Sequence, residues 1–255
     1  MKTVPFPLPR RLAAAALLLA GLLGAGAAAA ADERIPAFEA EYVVKYGRMP
    51  IGEGTLSLSY PEDGRYRYRL YVTPRGIARL LIGIDLTEVS AGRIGPDGTL
   101  APERYVHRRE GRSERRETVR FERRDSGDGE ALRLRLPGGE VKAVAADTVD
   151  RLLPQLLMMR DLEASGREAF TYRVVDEDGE LSDYTLRRQG RERISVKAGE
   201  FRAERIRRIR GQGSSRETRA WVDPRRHNLP LRIEHTTDGR TFVMELEAVR
   251  GPITE

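Results

Sequence analysis

From Phe38 onward apolar and polar residues alternate. Phe38, Ala40, Tyr42, Val44 and Tyr46 are separated by Glu39, Glu41 and Lys45, while Tyr66, Tyr68, Leu70 and Val72 interleave with Arg65, Arg67 and Arg69. A period of two sends alternate side chains to opposite faces of an extended strand, so these runs predict half-buried β-strands. The pattern recurs in Leu56/Leu58/Tyr60, Leu132/Leu134/Leu136, Phe170/Tyr172/Val174, Leu229/Leu231/Ile233 and Phe242/Met244/Leu246/Ala248. Between the runs lie Asp63-Gly64, Asp97-Gly98, Asp128-Gly129, Pro137-Gly138-Gly139, Asp178-Gly179 and Asp238-Gly239, which supply the positive backbone angles of tight connections. About a dozen short strands with a turn every 8 to 12 residues or so predict a mainly β, antiparallel architecture.

One segment breaks the period. Between Asp147 and Leu162, Leu152, Leu153, Leu156, Leu157, Met159 and Leu162 recur at helical spacing, with Asp147 or Asp150 as candidate N-cap. A cap at Asp150 puts Pro154 near the first turn, where its missing N–H does least harm; a cap at Asp147 would make Pro154 kink the helix. A shorter helical turn is expected over Arg75 to Ile82, with Ile77, Leu80 and Leu81 apolar. The apolar surface of Leu152, Leu153, Leu156, Leu157, Met158 and Met159 is wider than the single stripe needed to pack on one sheet face. Either the sheet covers this helix from several sides, or part of that surface lines a groove for an acyl chain or an apolar protein segment, with the methionines adapting to it. These six are the candidate ligand-binding residues. A short echo between Leu100-Ala-Pro-Glu-Arg-Tyr105 and Leu229-Pro-Leu-Arg-Ile233 suggests either a duplication or two Pro-marked edge strands.

Residues 1–31 differ from the rest: Lys2, Arg10 and Arg11 precede an uncharged Ala, Leu and Gly stretch from Leu12 to Ala31, which Asp32-Glu33-Arg34 ends. This is the three-part pattern of a signal peptide, with cleavage expected after Ala31 rather than retention as an anchor helix. Arg10-Arg11 fits a twin-arginine signal poorly, because Pro9 and Ala13 flank it. The remaining 32–255 carry no polar low-complexity linker and are expected to form one all-β domain with a helix near 147–162. Removal of the leader takes away three basic residues and no acidic one, so the net charge falls from +6 to +3. Basic and acidic residues are interleaved, as in Arg115-Arg116-Glu117, which predicts a solvated face and no nucleic-acid partner. There is no Cys, hence neither a disulfide nor a lipidated N-terminal Cys. With the leader removed no membrane-spanning segment is expected, and the localisation implied is periplasmic. An outer-membrane barrel is disfavoured: only 6% of residues are aromatic, too few for two girdles.

Catalytic and metal chemistry find little support. His107, His227 and His235 are the only histidines, none lies in a nucleophile-elbow setting, and His107 and His235 are expected on the surface. Widely spaced histidines without Cys argue against zinc. Asp176-Glu177-Asp178-Gly179 resembles a calcium string but lacks the later bidentate Glu, so a hairpin turn is the better reading. Gly211-Gln212-Gly213-Ser214-Ser215 lacks the Lys-Ser/Thr ending of a phosphate loop and likewise reads as a hairpin loop.

Phe38-Glu39-Ala40-Glu41-Tyr42, Ile51-Gly52-Glu53-Gly54, the Gly92 to Gly98 turn with Leu100 and Pro102, the helix after Asp150, Ala198-Gly199-Glu200-Phe201, and Trp221-Val222 with Leu229-Pro230 together resemble the exported bacterial family of domain of unknown function 3108 (DUF3108). The resemblance spans nearly the whole chain after the leader. It implies an envelope protein in which a curved antiparallel sheet, or open half-barrel, partly wraps one central helix, like periplasmic lipoprotein carriers. The family brings no catalytic residue and no cofactor. The function expected is a non-enzymatic module holding a hydrophobic ligand, lipid or lipoprotein-like, between concave sheet and helix. The alternative is a structural or assembly factor contacting another envelope protein or the cell wall.

Overall fold

The computed structural model describes residues 34–254 apart from 82, 113, 127, 128 and 212, so the expected signal peptide, Ile82 and Asp128 lie outside the described residues. In chain order the elements are β1 (Phe38–Tyr46), β2 (Met49–Ser59), β3 (Arg65–Pro74), α1 (Gly76–Leu81), β4 (Ile84–Ile94), β5 (Leu100–Gly111), β6 (Arg115–Ser126), β7 (Gly129–Arg135) and β8 (Val141–Val144). Then follow β9 (Val149–Asp150), α2 (Leu153–Ala164), β10 (Ala169–Val175), β11 (Leu181–Val196), β12 (Gly199–Ile209), β13 (Glu217–Asp223), β14 (Leu229–Thr237) and β15 (Arg240–Arg250). A 3₁₀ turn over Pro252–Thr254 ends the described chain.

All fifteen strands form one large, open, curved sheet in the order β8-β7-β6-β5-β4-β3-β2-β1-β15-β14-β13-β12-β11-β10-β9. Each half is a meander, because each tight turn returns the chain beside the strand it has just left. The glycines at 64, 98, 179 and 239 all have positive φ, as their Asp-Gly turns require. The halves join where β1 pairs antiparallel with β15, Tyr42 opposite Leu246. Among the described residues only β9 and β10 run parallel, through Val174↔Val149 and Val175↔Asp150. The sheet's two edge strands, β8 and β9, are therefore consecutive in the chain.

Inward residues of both halves meet α2 in one buried cluster. Phe38, Tyr42, Tyr66, Tyr68, Tyr105 and Leu134 from the first half join Trp221, Leu229, Leu231 and Leu246 from the second, with Leu153, Leu156 and Met159 from the helix. Tyr42 keeps its phenol inside by donating to the Pro230 carbonyl at 2.8 Å.

Three expectations need correction. Among the described residues the strands number fifteen rather than about a dozen, because β11 is mostly exposed and polar and the two-residue β9 leaves no period to read. Among the described residues there are two α-helices, the short α1 falling within the expected turn over Arg75 to Ile82, so the fold is not one sheet around a single helix; α2 begins at Leu153 because Val149 and Asp150 are drawn into the sheet beside β10. Pro102 and Pro230 lie on interior strands, not edges: each flanks a bulge in its own strand, where Glu103 and Leu231 are the extra residues and a missing ladder N–H is tolerated.

Candidate functional site

Helix α2 is held by polar contacts at both ends. Asp150 Oδ1 accepts from the backbone N–H groups of Leu152 and Leu153, both at 3.0 Å, satisfying two donors that a helix start leaves open. Pro154 falls in the first turn, as a cap from Asp150 requires. At the other end Arg188 Nη2 donates to the carbonyls of Leu162 and Ser165 at 2.9 Å, and Asn228 Nδ2 to the Met159 carbonyl at 3.0 Å. Tyr172 donates its phenol proton to Asp161 at 2.8 Å.

The six candidate ligand-binding residues, Leu152, Leu153, Leu156, Leu157, Met158 and Met159, are all brought together and all buried, none more than 6% exposed. They divide between two packing environments. Five belong to the main cluster, whereas Met158 and Leu162 pack with Phe170, Ile206 and Val222 in a smaller one.

Beside the N-terminal end of α2 lies a buried polar network that period reading does not find. Ser90 Oγ on β4 donates to Asp150 Oδ2 at 2.5 Å and lies 3.2 Å from the Tyr66 hydroxyl. Tyr105 donates to Glu88 at 2.9 Å, and Arg151 grips Glu177 with two hydrogen bonds of 2.6 and 2.8 Å while standing 3.8 Å from Glu88. His107 Nδ1 lies 3.0 Å from Glu117 Oε2, and Arg115 pairs with the other oxygen of Glu117. The expectation that His107 is exposed fails: it is 3% exposed, because Glu88, His107 and Glu117 stand opposite one another on the inward face of β4, β5 and β6. His235 is half-buried, with Thr218 and Thr237 hydroxyls 3.0 Å from its two ring nitrogens.

Burial sets the proton affinities here. It pushes the Asp150 carboxyl up to about 6 against the pull of Ser90 and the two helix N–H groups. Burial also raises the Tyr105 phenol and lowers the His107 imidazole. Burial would raise Glu177 as well, but the Arg151 hydrogen bonds overcome it and leave this carboxyl below its usual range. Ser90 spends its proton on Asp150, and the network reads as a fastening between β4–β5, β9 and the turn before β11.

Asp176 Oδ1 accepts from the backbone N–H groups of Asp178 and Glu180, so this acidic string forms the expected hairpin turn. Among the described residues no helix is long and apolar enough to cross a membrane. Helix α1 contrasts with α2. Ala78 packs inward beside Val44 and Ile51, while Ile77, Leu80 and Leu81 are 69%, 71% and 70% exposed. Tyr46, Met49 and Phe242, also exposed, lie at the same strand ends, with Tyr46 opposite both Met49 and Phe242. Arg112 donates to the Leu80 and Leu81 carbonyls, and Arg79 pairs with Asp85 at 2.8 Å, so guanidinium groups border the apolar tip.

Comparison with solved structures finds a β-barrel-like protein of domain of unknown function DUF1849 from Brucella abortus. It is 11% identical, covers 86% of this chain and 98% of its own, and superposes with a TM-score of 0.56. A candidate lipoprotein from Parabacteroides distasonis, 9% identical, covers 84% of this chain and 95% of its own with a TM-score of 0.33. The first likeness shows a shared β-barrel-like fold. No curated protein matches. The model of the family described as protein of unknown function (DUF3108) matches residues 41–247, which takes in β2 through β14 and most of β1 and β15; the chain belongs to that family.

Proposed function

We propose that the protein is an exported, non-enzymatic envelope module that works by contact, docking the exposed tip of α1 on an anionic lipid surface. The observation that carries this reading is the contrast between the two helices: α2 is covered, whereas Ile77, Leu80 and Leu81 project into solvent from a six-residue helix. A cluster of large aliphatic side chains bordered by arginines has the composition of an interfacial membrane contact. The charged leader pattern of residues 1–31 supports export, and an envelope location would bring the protein beside such a surface. The test is sedimentation of purified protein with vesicles of phosphatidylcholine and phosphatidylglycerol. Wild type should co-sediment, and the triple change Ile77→Ser, Leu80→Ser, Leu81→Ser should weaken binding about tenfold or more while leaving the melting temperature unchanged. Equal sedimentation of both proteins overturns the proposal.

A second reading, a hydrophobic ligand held between concave sheet and α2, draws support from the separate packing of Met158 and Leu162 with Phe170, Ile206 and Val222. A small cluster on one side of a helix can part to admit an acyl chain at less cost than the main core. Under this reading wild type takes up a fluorescent fatty-acid analogue, and Met158→Gln abolishes uptake with little change in ligand-free melting. Absence of uptake by wild type removes this reading and leaves the surface-contact proposal standing.

A further inference from the structure

The loop after β12 borders an open cleft of about 700 Å³, lined among others by Arg208, Arg210, Arg216, Ser214 and Ser215. Arginines elsewhere in this chain are commonly matched to carboxylates; Arg151, Arg188, Arg191 and Arg232 each lie against a buried Glu. The cleft differs. Among the described residues no carboxylate lies within ion-pair distance of Arg208, Arg210 or Arg216, and Asp183, the acidic residue lining the cleft, pairs with none of them. Arg208 and Arg210 are half-buried, and the Nε of each is enclosed without a hydrogen-bond partner. Arg210 spends one terminal nitrogen on Thr218 at 3.3 Å, and Arg208 stacks over the Tyr184 ring with its guanidinium carbon 3.1 Å from the ring centre.

Half-burying cations side by side without counter-charge costs stability; burial first, and then repulsion from neighbouring arginines, Arg216 among them, weakens proton binding at both Arg208 and Arg210. Such an arrangement is relieved when an anion enters. Guanidinium forks match the oxygens of phosphate, and the stacking of Arg208 on Tyr184 fixes one fork in place. Exposed Arg216 and the hydroxyls of Ser214 and Ser215 add donors at the mouth, although Ser215 is engaged with Asp238 at 2.7 Å.

We propose that Arg208, Arg210 and Arg216 form a binding site for a phosphate group carried by an organic molecule, either a soluble phosphate ester or a phospholipid headgroup. The cleft is far larger than inorganic phosphate, which leaves room for the remainder of the ligand. Strand register places it at the same strand ends as the α1 tip: Thr218 stands opposite His235 and Phe242 opposite both His235 and Tyr46. The site is built from its own residues and does not depend on membrane docking by α1.

Calorimetric titration of purified wild type at low ionic strength, with inorganic phosphate, glycerol 3-phosphate and a short-chain phosphatidylglycerol below its micellar concentration, tests this. Saturable binding that weakens as salt is added is expected. Glycerol 3-phosphate binding ahead of the lipid identifies the soluble source, and the reverse identifies the headgroup; both support the site. Arg210→Gln and the exposed Arg216→Gln should each weaken binding about tenfold or more. Ligand-free melting separates a site from a structural cluster: the proposal requires that Arg210→Gln melt no lower than wild type, since it removes uncompensated charge. No saturable binding of any probe, or equal binding by wild type and both variants, overturns the proposal. A lowered melting temperature of Arg210→Gln with unchanged affinity does so too.

Discussion

Asp150 offers a sharp test of how the fold is held. Its carboxyl is fully buried, accepts from two helix N–H groups and Ser90, and has an affinity for protons raised to about 6 by that burial. A raised carboxyl means that the folded state binds the proton more tightly than the unfolded chain, so this residue's contribution to stability falls as pH rises through the interval between the two values. The displacement is about two pK units, or about 3 kcal/mol between pH 4 and pH 7. Asp150→Asn keeps an oxygen to accept from Leu152 and Leu153 and an NH₂ to donate to Ser90, without the buried charge. Asp150→Ala leaves both backbone N–H groups unmatched in the interior, at roughly 1–3 kcal/mol each. Urea unfolding followed by the fluorescence of Trp221, the single tryptophan and a buried one, gives both stabilities from pH 4.5 to 7.5. The comparison that matters is wild type minus Asp150→Asn, because it cancels the opposite pH dependence of Glu177, Glu245 and Glu103, whose carboxyls are held low by arginine or lysine partners. That difference should move in favour of the variant as pH rises, while Asp150→Ala is less stable throughout. A difference independent of pH, or an Asn variant as unstable as the Ala variant, would refute the reasoning.

Leu156→Ala and Met159→Ala, both emptying a fully enclosed site, should each cost about 2–5 kcal/mol in urea unfolding. Gly92→Ala should destabilise by roughly 1–3 kcal/mol, because its new Cβ would stand 2.0 Å from the Ala101 carbonyl oxygen at the β4–β5 bulge; a melting scan compared with Gly98→Ala, where space is open, separates the clash from backbone strain. Glu177→Gln should lower stability most at neutral pH and least below about pH 4, since a depressed carboxyl contributes above its unfolded value and loses that contribution as pH falls. Unfolding curves at both pH values check that sign.

Period two revealed β1 and β3 because Phe38, Ala40, Tyr42 and Val44, then Tyr66 and Tyr68, are the inward residues. It revealed the turns because an Asp-Gly step has few other uses. It could not reveal the polar network, because Glu88, Ser90, His107 and Glu117 occupy inward positions that a hydrophobicity pattern assigns to solvent. Their partners Asp150, Arg151 and Glu177 come from segments 60 or more residues distant in some pairs, such as Ser90 with Asp150. Spacing marked α2 well but its start poorly: Val149 and Asp150 satisfy a helical window and a strand equally, and the pairing of Val149 with Val174 decides between them. The arginine cleft was hidden for a related reason. Arg208 and Arg210 sit in a run of interleaved charges, and only the folded chain shows that their neighbours' carboxylates are spent elsewhere.

An open sheet exposes two edges, and here both belong to the same short stretch of chain, β8 and β9. An edge left bare would template pairing with another chain. Asp150 and Arg151 instead turn the β9 edge into an attachment: Ser90 fastens it to β4, Glu177 fastens it to the turn before β11, and the helix that follows starts on the same carboxylate. The first half of the sheet, the second half and α2 are therefore joined at one point by polar contacts as well as along β1–β15 by the ladder. Opening the interior beside Asp150 would break charged, buried hydrogen bonds, whereas contact through α1 or the arginine cleft breaks none of them. At that end of α2, leaving a buried donor or acceptor unmatched costs about 1–3 kcal/mol, so the helix start is the stiffest part of the interior.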